Sequence, residues 1–160
     1  MDADGDSPLD DSLPHELEPF ERTEWPYTLS PQAQQWAVPS WKVLQVLGQP
    51  DSTALAVRAM ILNPAGRLLM LQKKTLDGQP GALQMPGGEC RNDESSIFDW
   101  LREFVWIDTR ITVLGIREFV VGIPQPGRLV MWIVVQVPSL REPVPTLDPD
   151  RFACHLWLEP

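Results

Sequence analysis

One stretch of sixteen residues constrains the fold of this chain more than any other. Its sequence, DESSIFDWLREFVWID, covers residues 93–108 and is the one long pattern in which apolar residues recur at helical spacing. These apolar residues are Ile97, Trp100, Leu101, Phe104 and Ile107. Asp93 or Ser95 can cap the start of the helix, since both side chains accept hydrogen bonds from backbone N–H groups. Because β-rich runs precede and follow this helix, the sequence predicts an α+β fold with a mixed sheet.

The β-rich runs are separated by turns that contain proline and glycine. Two runs around NPAG predict a hairpin, and two later runs around PQPG predict a second pair of strands. The long segment before the helix predicts a loop that ends in a short strand, and ACHLWL predicts the last strand. In chain order, the paired runs cover residues 53–62, 66–74, 111–123 and 128–137.

Negative charge is concentrated at the start of the chain. The 160 residues carry a net charge of −9, and residues 1–22, with eight acidic residues and one basic residue, account for −7 of it. Such an acidic segment cannot bury enough apolar surface to compensate for the chain entropy lost on folding. The sequence therefore predicts a disordered tail. A docking segment for a basic partner is the alternative.

The rest of the chain divides into a short covering segment and one domain. Residues 23–50, in which Ser30 and Pro31 form a helix start, are expected to cover one edge of the core. The tryptophans expected to pack on that edge are Trp25, Trp36 and Trp41. Residues 51–160 are expected to form the domain itself, which is an ordinary domain length.

Composition argues against several classes of partner. The folded part has no basic stripe of the kind that binds nucleic acid. No apolar run approaches the ~20 residues that span a bilayer, so we expect no membrane partner. Two cysteines and an acidic N-terminus indicate neither a disulfide framework nor a targeting peptide. We therefore expect a soluble cytoplasmic protein, with the nucleus as the alternative.

Residues 85–111 resemble the signature of the Nudix superfamily, G-x5-E-x7-R-E-U-x-E-E-x-G-U, in which U is a bulky aliphatic residue. Gly88, Glu94, Arg102 and Glu103 match its first half in type and spacing. The resemblance covers roughly residues 54–158, and the closing LDPDRFACHLWL is similar to the ending of fungal-type members. It implies an α/β/α sandwich with a mixed sheet. It also implies a C-terminal helix after LWL, and that helix is missing from this sequence.

The resemblance also implies a chemistry. Nudix hydrolases cut a diphosphate that links a nucleoside to another group, and they use Mg²⁺ or Mn²⁺ held by helical carboxylates. The implied catalytic residues are Glu103, Arg102 and Glu94. The implied metal ligands are Glu103, Asp108 and Glu94. Gly87, Gly88 and Lys74 would meet the phosphates. The implied partner is a nucleotide or another small diphosphate compound.

The second half of the signature departs from the family. In the first register, Trp106 and Ile107 stand where the family has Glu-Glu, and Thr109 stands at the glycine. In a register shifted by one residue, Asp108 replaces the second Glu and Arg110 the glycine.

Each register leaves part of the signature unmatched. The shift places Glu103 and Phe104 where the family has Arg-Glu. Glu103 and Asp108 are about 140° apart around an α-helix, so both can face one metal only if a π-bulge absorbs a residue. The sequence leaves both registers open.

Four functions are consistent with this incomplete signature. The first is a hydrolase with weak or lost activity, which needs Mg²⁺ or Mn²⁺ only if it is active. The second is a non-catalytic domain that binds a ligand or a protein. The third is a repurposed enzyme that works without a metal, and the fourth is a product without selected activity. The substrate and the oligomeric state are not encoded in any motif of the chain.

Overall fold

The computed structural model describes residues 27–91, 93–138 and 141–160. The acidic segment 1–22 and Trp25 lie outside these ranges, so the predictions made for them stay predictions. The described residues form three helices: α1 (Pro31–Gln34), α2 (Ser40–Val46) and α3 (Ile97–Thr109). The strands are β1 (Thr28–Leu29), β2 (Ala54–Met60), β3 (Leu68–Lys73), β4 (Leu83–Gln84), β5 (Gly87–Glu89), β6 (Gly115–Gln125), β7 (Arg128–Gln136) and β8 (Phe152–Leu158).

The strands form two sheets. The larger sheet has the order β1-β6-β7-β2-β5, in which β1 pairs with β6 and β2 pairs with β7 in parallel, and the other pairs are antiparallel. The smaller sheet, β4-β3-β8, is antiparallel. The predicted α+β class with a mixed sheet is therefore confirmed.

The predicted hairpin of β2 and β3 is wrong beyond its turn. The turn exists: the Asn63 N–H donates to the Arg67 carbonyl over 2.9 Å, and the Leu69 N–H donates to the Ile61 carbonyl over 2.9 Å. The two strands then separate into different sheets. β2 pairs with β7 along its whole length, which provides more hydrogen bonds than the short hairpin would.

Helix α3 begins four residues later than predicted. Its cap is Ser96, whose Oγ accepts from the Asp99 N–H over 3.1 Å, and not Asp93 or Ser95. Asp93 instead closes a turn by accepting from the Ser95 N–H over 3.0 Å. The buried face is also rotated from the predicted one, since it consists of Ile97, Phe98, Leu101, Arg102, Val105, Asp108 and Thr109.

Residues 27–50 pack against the domain. Ser30 caps α1 as predicted, with its Oγ accepting from the Ala33 N–H over 3.2 Å. Helix α1 ends at Gln34, and a second helix, α2, follows Pro39. Buried side chains from this segment join the core: Ala33, Val43 and Leu44.

Two tryptophans of this segment have different environments. Trp36 packs edge-on against Phe119, with ring centroids 6.0 Å apart, as expected for a core-covering residue. Trp41 is 38% exposed, so it does not cover the core.

Two features complete the described chain. No helix in the described ranges is long and apolar enough to span a bilayer. Only Glu159 and Pro160 follow β8, so the described residues contain no helix after the last strand.

Candidate functional site

The glycine loop lies against strand β2 and helix α3. In the antiparallel pair of β2 and β5, Val57 is opposite Gly88 and Arg58 is opposite Gly87. A Cβ atom on Gly87 would collide with the Val57 carbonyl oxygen, so only glycine fits at this position. A Cβ atom on Gly88 would lie 3.2 Å from the Phe104 ring. The loop is therefore in direct contact with α3.

Asp108 is the acidic side chain that meets this loop. It is 1% exposed, and its Oδ2 accepts from the Gly87 N–H over 3.3 Å. Its Oδ1 accepts from Nη1 of Arg151 over 2.5 Å. Burial raises the pKa of Asp108 above its ordinary value, and the charge of Arg151 is the largest effect that opposes the rise.

The contacts of α3 favour the shifted register of the Nudix signature. Phe104 and Asp108 are one turn apart, and they contact Gly88 and Gly87 respectively. Arg110 is the C-cap of α3 with φ of 61°, the left-handed conformation for which helix ends prefer glycine. In the shifted register of the resemblance, Arg110 stands at the glycine position and Phe104 at a glutamate position.

The helix also separates Glu103 from Asp108. Residues 97–109 are continuous α-helix without the π-bulge that would bring both carboxylates to one side. Glu103 is half-buried and lies about 100° around the helix from Phe104, which contacts the loop.

Glu94 and Arg102 contact aromatic residues of the segment 27–50. Oε2 of Glu94 accepts from Nε1 of Trp41 over 2.6 Å, just before α3 begins. Arg102 is 7% exposed, with its guanidinium carbon 4.7 Å from the centre of the Tyr27 ring. Its Nη2 lies 3.6 Å from Oδ1 of Asp99.

Arg102 therefore belongs to a cluster that attaches the start of the described chain to α3. The Tyr27 hydroxyl donates to Oδ1 of Asp99 over 2.7 Å. Burial and the neighbouring carboxylate raise the pKa of Tyr27, so the phenol stays protonated and remains a donor.

Lys74 supports the segment that carries Arg151. Its backbone N–H donates to the Arg151 carbonyl over 2.9 Å, and its Nζ donates to the Pro149 carbonyl over 3.0 Å. The predicted phosphate lysine therefore lies close to the site in the fold, but its ammonium group is bound to backbone.

Sequence reasoning missed two arginines of the site. Arg151 follows a proline-rich loop, where the turn is closed by the Asp150 N–H donating to Asp148 over 3.0 Å. Arg151 and Asp108 are 43 residues apart in the sequence, so no local pattern could have identified the pair. Arg58 lies on β2, and its Nη1 donates to the Met85 carbonyl over 3.2 Å.

Cys90 follows the loop and has no nucleophilic character. Burial, together with the negative charges of Asp93 and Glu89, raises the pKa of its thiol to about 12. The thiol is therefore protonated at neutral pH.

Comparison with known proteins identifies the fold. No protein-family model matches the chain, and no curated protein matches it. Solved structures do match. DR0079 from Deinococcus radiodurans is 17% identical over 66% of this chain and 67% of its own, with a TM-score of 0.54. A candidate member of the Nudix hydrolase family from Chromobacterium violaceum is 14% identical over 69% of this chain and 65% of its own, with a TM-score of 0.52. The chain has the Nudix fold.

A divalent cation of the family type does not fit the side chains beside the loop. Across residues 27–91, 93–138 and 141–160, no three acidic, histidine or cysteine side chains are grouped as a metal site. Phe104 offers no oxygen, and both oxygens of Asp108 already accept hydrogen bonds, one of them from a guanidinium. Mg²⁺ and Mn²⁺ require several hard oxygen ligands in a fixed arrangement.

Proposed function

We propose that this Nudix-fold domain binds a nucleotide or another small diphosphate compound and that its metal-dependent hydrolysis is weak or lost. The ion pair between Arg151 and Asp108 carries the proposal. In this pair the guanidinium of Arg151 binds the Asp108 carboxylate beside the glycine loop, at the place where the resemblance implies a metal ion.

The energetic argument rests on what a metal would have to displace. A cation bound by Asp108 would compete with Arg151, whose charge repels it and whose hydrogen bond would be lost. The ring of Phe104, in contact with Gly88, would replace a second ligand with apolar carbon. Loss of positioned metal charge removes several kcal/mol of transition-state stabilisation, which is about a thousandfold or more in rate.

The test is a titration with Mg²⁺ and Mn²⁺ against a panel of nucleoside-diphosphate-linked compounds. Wild type is compared with Glu103→Gln, because Glu103 is the glutamate that a residual metal site would use. Glu118→Gln, an exposed change on β6 with the same loss of charge, is the matched control.

We expect wild type and both variants to show the same turnover, close to that of the uncatalysed reaction. Fast turnover, well above the uncatalysed rate, that requires Mg²⁺ or Mn²⁺ and that disappears in Glu103→Gln but not in Glu118→Gln would sink the proposal.

A further inference from the structure

Positive charge gathers beside the glycine loop of a chain that is acidic overall. Burial lowers the pKa of Arg58 and has the largest effect on it. The like charges of Arg128 and Arg151 lower this pKa further. The negative charge of Asp108 opposes this lowering of the pKa. Asp108 is the carboxylate that Arg151 contacts directly, through Nη1 and Oδ1.

The strand register places two of these arginines on the same face of the larger sheet. In the parallel pair of β2 and β7, Ala54 is opposite Arg128 and Arg58 is opposite Trp132. Positions 54 and 58 are separated by an even number of residues, so their side chains leave the same face of the sheet. Arg128 is also the charge that affects Arg58 most.

The third arginine reaches the same place from the other end of the domain. Arg151 is held by Asp108, which in turn accepts from the Gly87 N–H. Arg58 is opposite Gly87 in the strand register and donates to the carbonyl of Met85. Arg58 therefore contacts the segment 85–87 directly, and Arg151 is linked to it through Asp108.

Such an arrangement suits a phosphate-bearing ligand. A guanidinium has five N–H donors in a planar fork, and the hydrogen bonds above use one nitrogen of Arg58 and one of Arg151. Arg128 is half-buried and Arg151 is exposed, so the group is accessible. We infer that Arg58, Arg128 and Arg151 bind the diphosphate group of a ligand without a metal ion, at the site of the proposed function, on which the ligand class rests.

This assignment gives Asp108 a role opposite to that of a metal ligand. In a metal-dependent site, the carboxylate recruits the cation that binds the phosphates, so its removal weakens binding. Here the carboxylate holds Arg151 and repels the anion, so its removal strengthens binding. Asp108→Asn therefore separates the two mechanisms by the sign of its effect.

The experiment measures the affinity of the full chain for inorganic pyrophosphate by calorimetry in the presence of EDTA. We expect Arg58→Gln and Arg151→Gln to weaken binding about tenfold or more, as for the loss of a charged hydrogen bond. Asp108→Asn should tighten it about threefold or more. The matched control is Arg67→Gln, which removes an exposed guanidinium bound to Glu159 and should change affinity by less than about twofold.

Arg151→Gln breaks an ion pair and can affect folding, so Arg128→Gln serves as a second variant, and the melting temperature is recorded for each protein. Replacing pyrophosphate by ADP distinguishes a nucleotide from a free diphosphate as the source of the group. The inference is overturned if wild type does not bind pyrophosphate in EDTA, if Arg58→Gln and Arg128→Gln behave like Arg67→Gln, or if Asp108→Asn weakens binding. Metal-dependent turnover would overturn the proposed function alone, because the calorimetry contains no metal.

Discussion

At the scale of single residues, the chemistry of the site depends on the partner of Asp108. The sequence identified Asp108 as an acid one position out of step with the family pattern, and the structure places it against Gly87. Its partner, Arg151, lies in a segment without a functional pattern, and the contact exists only after the chain has folded. A motif can indicate which acids are present, but tertiary structure determines which cation they bind.

Arg151→Gln should lower the free energy of unfolding by about 1–2 kcal/mol, a modest value because the arginine side chain is 46% exposed. The loss depends on pH. Protonated Asp108 has no charge for Arg151 to pair with. The difference in free energy of unfolding between wild type and Arg151→Gln is therefore present above the pKa of Asp108 and disappears as the pH falls through that pKa. Since burial raises that pKa above the ordinary value of about 3.9, the change should begin at a less acidic pH than for a free aspartate.

Urea denaturation across the acid range checks this prediction. Arg67→Gln, which removes an exposed arginine, should match wild type at every pH. A loss of stability in Arg151→Gln that stays constant into strong acid would contradict the assigned ion pair.

At the scale of elements, α3 positions the site because its residues Phe104 and Asp108 meet the glycine loop. Ser96 fixes where this helix begins. Ser96→Ala should therefore lower the free energy of unfolding by about 1 kcal/mol, since one N–H of the first turn loses its acceptor.

Ser95→Ala is the matched control for this prediction. Ser95 is exposed, and its assigned contacts use backbone atoms, which the change preserves. Equal losses in the two variants, measured by thermal and urea denaturation, would show that Ser96 is not the cap.

The elements also show where sequence reasoning succeeds. The spacing of Ile97 and Leu101 is a local property, and both residues are buried on α3 as predicted. The choice among Asp93, Ser95 and Ser96 as cap depends on how the chain enters the helix, which residue type does not determine. Pairing between strands is less local still: β2 and β7 are far apart in the chain, and nothing in the NPAG turn indicates that β3 joins another sheet.

At the scale of the whole molecule, the fold brings distant charges together. β2 contributes Arg58, β7 contributes Arg128, and the segment before β8 contributes Arg151. Asp108, near the end of α3, pairs with Arg151. A chain with a net charge of −9 thus carries three arginines on the elements around the glycine loop.

The central claim is that this site has an arginine where a metal ion would be expected. Electron paramagnetic resonance of Mn²⁺ added to the full chain tests it most directly, because free and bound Mn²⁺ give different signals. We expect Mn²⁺ to stay free at concentrations that saturate metal-dependent sites. We expect Arg151→Gln to increase binding, because it leaves Asp108 without its cation. One Mn²⁺ ion bound tightly by wild type, and lost in Asp108→Asn, would show that the site holds a metal ion.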